Sequence, residues 1–167
     1  MVRVKEHAPG GANSLVDAAE YPLYVVTEGV GDELSGCLAG FVTQCSITPV
    51  PFLVCISKVN HTFGIAERCR GLAVHLLGSD QIDLAALFGA TTGDLLDKFE
   101  HVGWSKGVTG APILNECAAW VEGPILNRMS AGDHEAFLIT VEGGGLGSHD
   151  GRLMLSDADD LEPGHPA

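Results

Sequence analysis

The sequence predicts a mainly β protein, an antiparallel barrel with short helices inserted in its connections. Six or more segments are rich in β-branched and aromatic residues, and turn residues separate them. These strands do not alternate regularly with helices long enough to connect parallel neighbours. A parallel, doubly wound sheet is therefore the less favoured alternative.

The predicted strands are short, and each is bounded by glycine, proline, aspartate or asparagine. Pro49 and Pro51 force an extended turn after the second strand. Small residues within that second strand leave room for the close approach of another backbone or a ligand. The strands are expected at residues 21–27, 34–45, 52–57, 72–77, 118–126 and 136–141, with residues 152–155 as a further short candidate.

About three short helices are predicted between the strands. Asn60 or Thr62 can cap a helix over residues 63–70, and Gly71 occupies the position of a C-terminal cap. A second helix is expected over residues 81–88. A pattern that resembles a capping box, from Thr91 to Asp94, precedes the third.

The chain is expected to contain one folded domain. Residues 1–19 are predicted to be an N-terminal arm, residues 20–146 the domain, and residues 147–167 an acidic tail that is disordered from Asp157 onward. The glycine run from Gly143 to Gly147 lacks the spacing of a dinucleotide-binding loop, and no helix follows it. A flexible linker is the expected structure there.

Composition excludes several classes of partner. The net charge of −13 argues against nucleic acid and against an anionic membrane surface, since both require a basic face. No apolar segment approaches the roughly 18 residues of a membrane helix, and no signal peptide is recognisable. The five cysteines and seven histidines form no metal-binding pattern. Buried, reduced thiols are expected, and they favour the cytoplasm.

Polar residues follow the third strand at its junction with a helix. Ser57, Lys58, Asn60 and Thr62 combine short hydrogen-bond donors with a positive charge beside the free N–H groups of a helix start. This combination suits a phosphate group. Simple helix capping, which needs only one of these residues, is the alternative.

Two other polar segments are candidates for ligand contacts. Thr43, Gln44, Ser46 and Thr48 lie at the end of the second strand and could bond the edge of a planar heterocycle, although the residues alone favour a hydroxyl-rich turn. His134 follows Gly132 and Asp133 in a turn that does not itself require a histidine. It is a candidate proton donor or ring contact, and the alternative is an ordinary surface histidine.

The order and spacing of several segments resemble the flavin reductase-like family of the FMN-binding split barrel. The resemblance is carried by LAGFVTQCSITPVPFLVCISKVNHT, GLAVHLL, DKFEHVGW, TGAPIL, AAWVEG and AGDHEAFLITVEGG. It covers about residues 21–145. It implies a six-stranded antiparallel Greek-key barrel that forms a homodimer with one flavin per subunit.

The resemblance also implies roles for particular residues. The isoalloxazine edge is expected to contact Thr43, Gln44, Cys45, Ser46, Ile47 and Thr48. The phosphate is expected near Ser57, Lys58, Asn60, His61 and Thr62, and Lys98 and Phe99 are expected to approach the cofactor. His134 matches the family's GDH histidine and is expected beside the flavin or the nicotinamide. His75 departs from the asparagine that relatives often carry.

The implied activity is reduction of bound FMN, or FAD, by NAD(P)H, which supplies reduced flavin or electrons to an acceptor such as a monooxygenase. The segment that follows the last strand, HDGRLMLSDADD, differs from the aromatic, arginine-containing segment of relatives. It motivates a second hypothesis, an FMN-binding electron carrier that resembles flavoredoxin and has no nicotinamide site. A related barrel that holds a deazaflavin or haem is a third option.

Overall fold

The computed structural model describes residues 15–16, 18–91, 96–162 and 164, and most of the predicted N-terminal arm lies outside them. Eight strands form one curled antiparallel sheet. They are β1 (Tyr24–Val30), β2 (Glu33–Ala39), β3 (Val42–Gln44), β4 (Pro51–Ser57), β5 (Gly71–Leu76), β8 (Ala119–Ala131), β9 (His134–Thr140) and β10 (Gly143–Leu146). The hairpin of β6 (Trp104–Lys106) and β7 (Pro112–Leu114) forms a separate two-stranded sheet.

The predicted mainly β, antiparallel class is confirmed, but the predicted numbers of strands and helices are wrong. The main sheet has eight strands in the order β2-β1-β5-β8-β9-β4-β3, with β10 paired to β8. The described residues contain two complete α-helices, α1 (His61–Ala66) and α2 (Ile82–Gly89), and two 3-10 turns, Lys98–Glu100 and Leu155–Ala158. Residues 15, 16 and 18 are helical as well. The start of the expected third helix falls on residues 92–95, which lie outside the described part, and the described residues that follow form the first of these turns.

The predicted second strand is divided in two, because the chain turns at Gly40 and Phe41. The N–H of Val42 donates to the carbonyl of Gly40 at 3.1 Å, so the backbone bends between β2 and β3. β2 then pairs with β1 at one edge of the sheet, and β3 pairs with β4 at the other. The bend therefore joins the two edges and curls the sheet into a half-barrel.

Two segments predicted as loops are strands instead. Residues 127–131 continue β8, and a two-residue turn at Gly132 and Asp133 leads directly into β9. The glycine run pairs with β8 in register, with Gly144 opposite Val121. A Cβ atom on Gly144 would lie 3.0 Å from the carbonyl oxygen of Trp120, so the absence of a side chain permits this close pairing.

Two apolar clusters stabilise the fold. The first fills the half-barrel and includes Val26, Val54, Ile56 and Phe137. The second lies beneath α2 and includes Leu23, Phe88, Leu153 and Leu155. Burial of such side chains from water is the main favourable term in their packing.

The C-terminal segment packs on the domain where a disordered tail was expected. The N–H of Leu153 donates to Leu77 at 3.0 Å, and the N–H of Leu155 donates to Tyr21 at 3.0 Å. Ala158 is buried in the second apolar cluster. Disorder from Asp157 onward is therefore wrong for the described residues, which end at 162 and 164. Among these residues no helix is long and apolar enough to span a membrane.

Candidate functional site

The register of β4 and β9 brings two predicted site residues together. Ser57 ends β4 and lies directly opposite His134, the first residue of β9. Val54 and Ile56 point into the half-barrel core. Because side chains alternate along a strand, Ser57 and its antiparallel partner His134 lie on the opposite, outward face.

The same outward face extends to β3. Thr43 pairs with Leu53. Leu53 lies four residues before Ser57 on β4 and therefore on the same face of the strand. Thr43 is exposed, whereas Leu53 and Cys55 are half-buried. We call the surface of Thr43, Leu53, Cys55, Ser57 and His134 the outer face. It connects the two predicted contact segments, which lie at opposite ends of β4, roughly 20 Å apart along a seven-residue strand.

Lys58 binds the turn that carries His134. Its ammonium group donates to the hydroxyl of Ser130 at 2.6 Å and to the carbonyl of Gly132 at 2.7 Å. Its backbone N–H donates to the carbonyl of Asp133 at 2.9 Å. A lysine ammonium has three donors, so one N–H remains for another acceptor.

His134 is held by contacts on two sides. Its Nδ1 lies 2.8 Å from Oδ1 of Asp133, and this hydrogen bond, followed by the charges of His134 and Lys58, lowers the pKa of the Asp133 carboxyl. The rings of His134 and Phe41 meet edge to face with centroids 5.4 Å apart. Because the carboxylate accepts from Nδ1, Nε2 is the ring nitrogen left for a substrate.

The predicted phosphate segment divides into inward and outward side chains. The Ser57 hydroxyl oxygen is shielded from solvent and has no hydrogen-bond partner among the described residues. The Asn60 side chain caps α1 by accepting from the N–H of Thr62 at 3.1 Å. The Thr62 hydroxyl turns inward and lies 2.9 Å from that of Ser35, while His61 is exposed.

The segment from Thr43 to Thr48 is exposed along its whole length. The N–H of Cys45 donates to the carbonyl of Pro51 at 3.0 Å, and the Gln44 amide donates to the carbonyl of Ser46 at 2.8 Å. Within the described chain, the N–H groups of Ser46, Ile47 and Thr48 have no backbone acceptor. This loop therefore presents a row of available donors.

Lys98 and Phe99 lie away from the outer face. The buried Lys98 ammonium donates to the carbonyls of Gly36 at 3.2 Å and Phe88 at 3.1 Å. Burial is the main cause of a lowered pKa at Lys98. The Phe99 ring packs against Phe88 and Trp104. These residues are not brought together with Ser57 and His134 within the chain.

Sequence reasoning missed three residues that organise the site. Phe41 contacts the His134 ring, Asp133 orients it, and Ser130 binds Lys58. The turn signal of Gly132 and Asp133 could have indicated a hairpin, and hence a position for Asp133 next to the ring. Nothing in the sequence pattern links Phe41 or Ser130 to His134, because strand register alone determines those contacts.

The fold and site together define a class, a split β-barrel whose outer face combines available donors with an oriented histidine. The chain belongs to the flavin reductase-like domain family, whose match covers residues 17–161. The match extends past residue 146, in agreement with the packed C-terminal segment. The resemblance inferred from the sequence is thereby confirmed.

Individual relatives share the fold and part of the sequence. An FMN reductase (NADH) of Acinetobacter baylyi is 29% identical over 118 residues, which cover 71% of this chain and 62% of that protein. An NADH:FAD oxidoreductase of Streptomyces globisporus has a TM-score of 0.71 at 29% identity, covering 77% of this chain and 76% of its own. A flavin reductase domain protein of Arthrobacter has a TM-score of 0.78 at 23% identity, covering 89% and 91%. The chain thus spans less than two thirds of the first of these relatives.

Proposed function

We propose that the chain is an NAD(P)H-dependent flavin oxidoreductase that holds FMN, or FAD, on the outer face. The observation that carries the proposal is the convergence of Ser57, Lys58 and His134 at the adjacent ends of β4 and β9. Membership of the flavin reductase-like family supports it. The names of two relatives, an FMN reductase (NADH) and an NADH:FAD oxidoreductase, support the choice of substrates.

The residues present fit a flavin nucleotide. A shielded hydroxyl without a partner, such as that of Ser57, favours a ligand that supplies an acceptor. The third N–H of Lys58 and the Asn60 amide add donors beside it, as a phosphate group requires. At the other end of β4, the N–H groups of Ser46, Ile47 and Thr48 suit the carbonyl and nitrogen acceptors on the edge of an isoalloxazine ring.

The two ends of the outer face would thus hold two ends of one ligand. Thr43, Gln44, Cys45, Ser46, Ile47 and Thr48 are proposed to bind the ring, and Ser57, Lys58, Asn60 and His61 the phosphate. Thr62 is proposed to support the phosphate site indirectly, because its hydroxyl is turned toward Ser35 and its N–H holds the Asn60 side chain. The proposed approach of Lys98 and Phe99 to the cofactor rests on the family resemblance alone, because both side chains are buried away from the outer face.

The chain's own contribution to catalysis is orientation. Bound flavin supplies a two-electron acceptor for hydride. Asp133 fixes Nδ1 of His134, so Nε2 is presented to the nicotinamide or to a proton in transfer. The edge of Phe41 against the imidazole limits rotation of the ring. His134 is therefore a proposed positioning group or proton donor, not a nucleophile.

The assembly and the cellular setting are also proposals. Several large apolar side chains near the outer face are exposed in the single chain, namely Phe41, Ile47, Val59 and Met129. Their exposure supports a homodimer that covers them. The five cysteines are unpaired, which supports a reducing compartment such as the cytoplasm. A monooxygenase is one acceptor that reduced flavin could serve.

A spectrum and a turnover assay test the activity. The purified protein is titrated with FMN and with FAD, and oxidation of NADH and NADPH is followed at saturating flavin. We expect flavin-dependent turnover, a large loss in His134→Gln, and no change in His101→Gln, an exposed histidine outside the outer face. Bound flavin that dithionite bleaches but neither nicotinamide reduces would instead identify an electron carrier.

A further inference from the structure

Lys58 joins the tip of the β8–β9 turn to the end of β4. Its two ammonium bonds and its backbone bond reach Ser130, Gly132 and Asp133 at 2.6, 2.7 and 2.9 Å. Lys58 lies outside this hairpin and binds its turn residues through both its side chain and its backbone. The turn is exposed, so water otherwise surrounds it.

The position of the turn determines the positions of Asp133 and His134. Gly132 has a φ of +75°, and the two-residue connection leads directly to His134. The ring of His134 depends on Asp133, which is itself part of the turn. A displacement of the turn would therefore move the carboxylate and the imidazole together.

We propose that Lys58 is a positioning residue that fixes the turn and, through Asp133, the orientation of His134. The catalytic consequence of this role rests on the proposed function. The hydrogen bonds from Lys58 to the turn form without any ligand. The positioning role differs from the expected role of Lys58 as a phosphate contact. Two of its three donors are already committed to the turn, so a phosphate would share a lysine that is held in place by the protein.

The positioning of the turn by Lys58 is tested first without ligand, by amide hydrogen exchange of residues 130–134. The variants are Lys58→Met, Lys58→Arg and Ser130→Ala, with Lys106→Met as the control, since Lys106 is an exposed lysine on β6. We expect exchange about tenfold faster in Lys58→Met and Ser130→Ala, near the original rate in Lys58→Arg, and unchanged in Lys106→Met. Unchanged exchange in both Lys58→Met and Ser130→Ala would overturn the proposal.

The link to His134 is tested by a double-mutant cycle on kcat/KM for NADH at saturating FMN. Lys58→Met and His134→Gln should each lower kcat/KM, and the double variant should be no worse than His134→Gln alone. Losses that multiply would show that Lys58 acts independently of His134 and would refute the link. Ser130→Ala should lower kcat/KM while its affinity for FMN stays within about twofold.

The two proposals fail in different ways. If the unaltered protein oxidises no NADH, the proposed function fails, while the exchange result still decides whether Lys58 clamps the turn. If Lys58→Met weakens FMN but not riboflavin and leaves exchange unchanged, Lys58 is a phosphate contact only. That result would refute the positioning role and leave the proposed function intact.

Discussion

His75 should make the stability of the fold fall as the solution is acidified. The imidazole is fully buried, with Nδ1 3.0 Å from the carbonyl of Val25 and Nε2 accepting from the N–H of Leu114 at 3.0 Å. Only a neutral ring with its proton on Nδ1 satisfies both contacts. Burial lowers its pKa from 6.5 to about 4.

The size of the effect follows from the difference between folded and unfolded states. The folded chain binds fewer protons at this site, so the contribution is complete above pH 6.5 and is lost as pH falls toward 4. A lowering of the His75 pKa from 6.5 to about 4 corresponds to a contribution of at most roughly 3 kcal/mol to the free energy of unfolding. Between pH 7 and pH 5 the expected loss is about 2 kcal/mol.

Urea unfolding of the original chain and of His75→Gln, between pH 7 and pH 5, isolates this contribution. Glutamine cannot titrate and can still accept from the N–H of Leu114. The variant should be less stable at pH 7, yet its free energy of unfolding should fall less on acidification. Other titrating groups contribute equally to both proteins and cancel in the difference. Equal pH dependence in the two proteins would refute the assignment.

Four further predictions concern other parts of the fold. Burial raises the pKa of Glu28 well above 4.5, so the contribution of this carboxyl to stability should decline as pH rises above 4.5, and urea unfolding of Glu28→Gln should lack that decline. Ser57→Ala should weaken FMN about tenfold but leave riboflavin unchanged in fluorescence titrations, while the ligand-free stability does not fall, since the shielded hydroxyl has no partner among the described residues. Gly123→Ala should prevent folding by circular dichroism, since a Cβ atom there would collide with the carbonyl of Thr140. Gly64→Ala, in a helix with open space around it, should instead add about 0.5–1 kcal/mol.

The pattern of apolar residues was sufficient to predict the strands that face the core. Segments such as the one ending at Ser57 have strong β propensity and a buried alternation, so their type did not depend on distant contacts. The bend at Gly40 was not predictable, because the apolar residues continue through it. Its cause is the pairing of β2 and β3 with different edges of the sheet.

The missed strands have a different cause. Residues 127–131 are exposed because β8 extends beyond the core, so they show no apolar and polar alternation. The strand from Gly143 to Leu146 has almost no side chains, and its structure is determined by its neighbour Trp120. In both cases the segment is a strand because it pairs with a neighbouring strand, and its own residues have no strong β propensity.

The site depends on a register that the sequence states only indirectly. Ser57 and His134 meet because Val54 and Phe137 are paired in the core. A slip of one residue would turn Phe137 toward solvent and His134 toward the core, so burial of the one fixes the orientation of the other. The motif residues are therefore informative about chemistry, whereas the apolar residues between them decide where that chemistry is assembled. The outer face is for this reason coupled to the packing of the half-barrel.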